Sequence, residues 1–130
     1  YMSGGALRLI IQQNLVSRLC PHCAREIELS VEGRELFDGN EVPCPSTVKQ
    51  AVGCKECRGY GHRGRIAVFE LTPIGQSLGL EIVAGISTKE LSSRFAIARG
   101  GSMVQDILYK VAEGIVALDV AERFIRSLGE

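Results

Sequence analysis

The chain has 130 residues, 45% of them apolar, which suffices for one modest core or for a core plus a small metal-stapled module. Fifteen basic and fifteen acidic residues cancel, so no bulk field draws the chain to nucleic acid or to an anionic membrane. No apolar run reaches the roughly 18 residues a bilayer-spanning helix needs, and the N-terminus has no signal pattern, so a reducing cytosol is the expected compartment, where paired cysteines are more often metal ligands than disulfides.

Residues 6–19 predict a helix, because Leu7, Ile11 and Leu15 recur at i+4 with Leu19 one turn on and Ile10 beside them. Pro21 follows as its stop. Ser30 is placed to cap a short helix through Phe37, and Asp38-Gly39-Asn40 signals a turn. Thr47 to Val52 is a candidate strand. Residues 65–71 are a better one, with Ile66, Val68 and Glu70 on one face and Ala67, Phe69 and Leu71 on the other.

Beyond residue 71 the pattern turns helical. Thr72 as cap and Pro73 at the first helical position open a segment with Ile74, Leu78 and Ile82, closed by Gly85. Ser87 with Glu90 fits a capping box for a helix to Ala98, and Gly100-Gly101 breaks it. Ser102 with Gln105 fits a second box, with Ile107, Leu108 and Val111 facing inward. A last helix spans Leu118 to Leu128, with Gly129 behind it. The expected fold is α+β and mostly α: an N-terminal helix (1–19), a zinc-knuckle β-hairpin insert (20–71) and a C-terminal helical bundle (72–130).

Two Cys-x₂-Cys pairs carry the chemistry: Cys20-Pro21-His22-Cys23 and Cys54-Lys55-Glu56-Cys57. Two residues between cysteines let one tight turn aim both sulfurs at one ion, and two such turns complete a tetrahedral zinc shell. Thirty residues separate Cys23 from Cys54, more than the roughly 15–20 of the common ribbon spacing, so the intervening loop must bulge outward. A redox pair or an iron–sulfur cluster fits this spacing less well. Cys44, without a Cys-x₂-Cys partner, is expected to stand outside the site. His22 is expected to point outward and His62 to be a surface residue rather than a ligand. Four thiolates leave no open position for water, so the expected metal ions at Cys20, Cys23, Cys54 and Cys57 reduce to one structural zinc.

Catalytic machinery is not evident in this sequence. It contains no Gly-x₄-Gly-Lys-Ser/Thr phosphate loop and no His-Glu-x₂-His, and of its two histidines one lies within the first cysteine pair and the other shortly after the second.

Three segments resemble a known family. Gln13 to Cys23 (QNLVSRLCPHC) is similar to the Gln-Arg-Leu-Val-Arg-x-Leu-Cys-Pro-x-Cys run of secretion and pilus-assembly ATPases, the motors of type II secretion and type IV pilus extension. Ala51 to Leu71 resembles the family's Gly-Cys-x₂-Cys stretch, which continues through Gly-Tyr to Ile-Tyr-Glu. Lys110-Val111-Ala112-Glu113-Gly114-Ile115 resembles its closing Lys-Val-x₂-Gly-Ile segment. Asn14 and Ser17 stand where the family has arginines, and Val116 or Ala117 replaces a threonine cap, which predicts a weaker start to the last helix.

The resemblance implies a C-terminal region of such a motor, with ATP and Mg²⁺ handled by a core lacking here and no ATP hydrolysis by this chain alone. It further implies a homo-hexameric ring at the cytoplasmic face of the bacterial inner membrane, contacting neighbouring subunits or a membrane platform protein. Arg63 and Arg65 are the candidate partner contacts. Two other classes stay open. Cys54 to Gly61 fits the Cys-x₂-Cys-x-Gly-x-Gly repeat of J-domain chaperones, and Arg58, Arg63 and Arg65 around Tyr60 could form the basic patch of a nucleic-acid-binding zinc ribbon.

Overall fold

The computed structural model describes residues 7–98 and 101–129, with the backbone alone for 95–98. Four strands and five helices are found among them: β1 (Leu9–Leu19), β2 (Arg25–Glu28), α1 (Val31–Gly39), β3 (Thr47–Gln50), β4 (His62–Pro73), α2 (Gln76–Val83), α3 (Thr88–Ala98), α4 (Met103–Ala112) and α5 (Leu118–Leu128). The mixed, helix-rich α+β class is as expected. The chain forms two compact units, one from residues 1–13 and 69–102, the other from 14–68 and 103–130. Helices α2 and α3 therefore fall in one unit, and α4 and α5 in the unit that holds the cysteines.

The N-terminal helix is a correction: residues 9–19 are a strand. Positions 7, 11, 15 and 19 are spaced at i+4, which puts them on one stripe of a helix but equally on one face of a strand, whose period is two. Ile10, Ile11 and Val16 are β-branched and favour the extended choice. Pairing with β4 decides it. Ile74 N–H donates to Arg8 O at 2.8 Å and Cys20 N–H to Gly61 O at 3.0 Å, so the two strands run antiparallel. Pro21 is thus the turn residue of the first cysteine pair and not a helix stop.

In the cysteine-bearing unit, β2 and β3 form an antiparallel ribbon with Arg25 opposite Gln50, Glu26 opposite Lys49, Ile27 opposite Val48 and Glu28 opposite Thr47. Helices α4 and α5 pack on each other and on β3. Val16, Leu19, Leu29, Phe37, Val48, Val68, Ile107, Leu108, Val111, Val116 and Ala121 form one buried cluster. Ser30 caps α1 as expected, accepting from Gly33 N–H at 3.1 Å. Phe37, fully buried, anchors α1 to the core, and cutting it to alanine would cost about 3–5 kcal/mol. Helix α5 begins at Ala117 with no side-chain cap, the weak start expected there.

In the other unit β4 continues through Pro73, two residues past the expected strand end at residue 71, and α2 starts after Gly75 without a side-chain cap. Thr72 is buried as a strand residue. The Ser87 cap of α3 is present, its Oγ accepting from Glu90 N–H at 3.3 Å. Gly100 lies outside the described residues.

Candidate metal centre

Each cysteine pair sits in a turn between elements that are fixed elsewhere. The first turn joins β1 to β2. Leu19 N–H donates to Ile115 O at 2.8 Å, Cys20 N–H to Gly61 O, and Ala24 N–H closes the turn on Cys20 O at 3.1 Å. The second joins β3 to β4, where Gly59 N–H reaches Cys54 O at 2.8 Å and Tyr60 N–H reaches Cys57 O at 3.1 Å. Pairing of β2 with β3 and of β1 with β4 brings the two turns together, although thirty residues separate them in the chain.

The four sulfurs lie within 4.8 Å of one another. Cys20 Sγ is 3.8 Å from Cys54 Sγ, Cys23 Sγ is 3.8 Å from Cys57 Sγ, and Cys54 Sγ is 3.7 Å from Cys57 Sγ. A disulfide needs about 2.05 Å, so none of these pairs is bonded. A tetrahedron with metal–sulfur bonds of about 2.3 Å has edges of about 3.8 Å. The spacing therefore suits a zinc-sized ion, and the four thiols could hold one.

Backbone amides polarise the cluster. Gly53 N–H donates to Cys23 Sγ at 3.3 Å, and Cys54 and Gly61 N–H both donate to Cys57 Sγ at 3.2 Å. Burial works against the Cys57 thiolate, but the two amides and hydrogen bonds from the Cys54 and Cys23 thiols together outweigh it and pull the thiol down from 9.0 to about 6. Cys54 goes the other way. A backbone hydrogen bond at Cys57 favours its thiolate, yet burial and the crowding sulfurs of Cys57, Cys20 and Cys23 together push it up to about 11. Four sulfurs this close cannot all ionise unaided, and a cation at their centre would remove the conflict.

Gly53 and Gly61 are the functional residues the cysteine spacing alone did not single out. Both have left-handed backbones, at φ 110° and 76°. A Cβ on Gly61 would meet Ala51 Cβ at 2.7 Å, and one on Gly53 would meet Gly59 O at 2.8 Å. The signal was present as glycines clustered in residues 53–64. Cys44 is exposed and outside the cluster, its thiol donating to Pro45 O at 3.6 Å, and His22 is exposed, both as expected. His62 is also outside the cluster, but it is half-buried and not the surface residue expected, and its Nε2 is buried without a hydrogen-bond partner.

Residues 2–123 match the family described as type II/IV secretion system protein. The chain belongs to this family. It is 30% identical to the type IV pilus assembly ATPase PilB of Myxococcus xanthus, an alignment covering 92% of this chain and 21% of that protein. It is 32% identical to the protein transport protein HofB homolog of Escherichia coli, over 99% of this chain and 26% of that one. Against type II secretion system protein E of Pseudomonas aeruginosa it is 30% identical, over 90% of this chain and 23% of the other. The chain thus spans about a fifth to a quarter of the length of these relatives. Among its described residues no helix is long and apolar enough to cross a membrane.

Proposed function

We propose that this chain is the C-terminal, zinc-binding region of a motor ATPase of secretion or pilus assembly. The observation that carries the metal half of the reading is the cluster of Cys20, Cys23, Cys54 and Cys57, with sulfur separations of 3.7–3.8 Å that match the edge of a zinc tetrathiolate. The motor half is supported by the family match and by relatives named as pilus-assembly ATPase and type II secretion protein.

The zinc is structural. Four protein sulfurs fill its coordination shell, leaving no site for a reacting water. When bound, the ion ties the end of β1 to the start of β4 and the two turns to each other. Its binding energy, on the order of 10–16 kcal/mol in small zinc modules, is then folding energy for this unit. The role of the residues around it is mechanical: the glycine-supported amides hold the sulfurs, and the turns present Lys55, Arg58 and Tyr60 outward. ATP and Mg²⁺ would belong to the remaining three quarters or more of the parent. There the module would serve subunit contacts in a hexameric ring or a contact to an inner-membrane platform protein, on the cytoplasmic side.

Elemental analysis of protein purified without added metal, with thiol titration, tests the reading. One zinc per chain and one reactive thiol, Cys44, is the expected result. No metal and five reactive thiols would overturn the zinc assignment. The motor assignment is tested separately: a Cys54→Ser substitution in the full-length parent should lower assembly or secretion, and unchanged assembly despite lost zinc would remove any essential role for the site.

A further inference from the structure

The neutral charge of the whole chain conceals a segregation inside the cysteine-bearing unit. Residues 26–41 contain six acidic side chains (Glu26, Glu28, Glu32, Glu35, Asp38, Glu41) against the single base Arg34. Residues 49–65 contain five basic ones (Lys49, Lys55, Arg58, Arg63, Arg65) against the single acid Glu56. All are exposed except Lys49, which is half-buried. The ion pairs of the described residues, Glu81 with Arg94, Asp106 with Lys110 and Asp119 with Arg123, involve none of them.

Glu26 and Lys49 face each other across the β2–β3 ribbon, but the remaining bases, in and just after the second cysteine turn, and the acids of α1 and its following turn (Glu32, Glu35, Asp38, Glu41) lead off from its opposite ends. Its Arg25–Gln50 end leads into the cysteine turns, and its Glu28–Thr47 end leads into α1. Three residue steps separate these pairs, about 10 Å at the usual strand rise. At physiological salt that is already beyond a Debye length of about 8 Å, so charges beyond one end of the ribbon do little for those beyond the other. Each face also carries an exposed apolar side chain. Tyr60 is 77% exposed on the knuckle, and Val31 is 68% exposed on α1. With Phe37 and Gly33 buried beneath α1, Val31, Glu35 and Asp38 fall on one outward stripe at i, i+4 and i+7. An exposed aromatic with arginines close to it in the chain, matched to an acidic stripe with an apolar residue, is the composition of a specific protein contact, with the charges setting register and encounter rate.

We infer that the basic knuckle of Arg58, Tyr60, Arg63 and Arg65 docks on the acidic face of α1 (Val31, Glu35, Asp38) of a second copy of this chain. Charge complementarity selects that occupant, because the acidic surface that matches the knuckle is present on the same chain. The contact is heterologous, one end of a copy on the other end of the next. Such contacts propagate head to tail and close into a ring when the rotation allows. This rests on the motor reading and names the surfaces through which the proposed subunit contact would run.

The test is sedimentation of the zinc-loaded chain and of two charge-swapped versions, R63E with R65E and E35K with D38K. Zinc content and circular dichroism would establish that each is folded. Wild type should associate with increasing concentration in low salt and dissociate in high salt. Each swapped version alone should associate at least about tenfold more weakly, since it opposes like charges. An equimolar mixture of the two should recover association, because every contact between unlike copies is again complementary. A wild type that stays monomeric at every concentration and salt would overturn the proposal, as would association that neither swap weakens. The second outcome would leave the motor reading intact and move the subunit contact elsewhere. Loss of zinc in wild type would instead remove the reading beneath it. Salt-dependent binding of wild type to nucleic acid or anionic vesicles, with no self-association, would also overturn it.

Discussion

The two cysteine turns have the same spacing but are held in different ways. The first, Cys20 to Cys23, is fixed from outside, by the pairing of β1 with β4 and by the bond from Leu19 N–H to Ile115 O. The second, Cys54 to Cys57, is fixed from within. Its own segment supplies backbone amides that donate to sulfurs, those of Gly53, Cys54 and Gly61 among them, and that of Gly53 serves Cys23 in the other turn. The glycine-rich segment therefore organises both halves of the cluster, while the first turn contributes sulfurs that strand register delivers.

That asymmetry can be broken at graded cost. Replacing Cys20 or Cys57 by serine should abolish stoichiometric zinc and, with it, on the order of 10 kcal/mol of metal-linked folding energy. Elemental analysis and thermal melts would show both effects, and a variant that keeps its zinc would contradict the ligand assignment. Next comes Gly61→Ala, where a left-handed backbone and a Cβ 2.7 Å from Ala51 Cβ act together. It should cost about 1–3 kcal/mol, read by denaturant unfolding of the metal-loaded chain. In the first turn Pro21→Ala should cost less than about 1 kcal/mol, chiefly through a freer unfolded chain. A larger loss at Pro21 than at Gly61 would reverse the comparison. Smallest is Cys44→Ser, expected to leave zinc and stability unchanged and to remove the one reactive thiol.

Acidity probes the same asymmetry. Without metal, Cys57 lowered to about 6 contributes stability that is full above its unfolded value near 9 and is lost as pH falls through 6. Cys54 raised to about 11 contributes stability that is present below 9 and is lost as pH rises through 11. The metal-free chain should thus weaken toward both extremes when melted across that range. Zinc binding must displace the remaining thiol protons, so apparent affinity should fall as pH is lowered. Competition with a chromophoric chelator at several pH values would measure the slope.

The sequence by itself determined the chemistry of this protein more fully than its shape. Two Cys-x₂-Cys pairs name a four-thiol cluster whatever lies between them, because ligand identity and local turn length are local properties. Capping at Ser30 and Ser87 and the alternation of Ile66, Val68 and Glu70 were legible for the same reason. The strand at residues 9–19 was not, since an i+4 spacing fits both a helix stripe and a strand face. Only hydrogen bonding to β4, more than forty residues later, chooses between them. Nor could chain order say that α4 and α5 join the cysteine unit while α2 and α3 fall in the other. Burial of Ile107, Leu108 and Val111 against Val48 and Val68 makes that choice, and it exists only once the chain has folded.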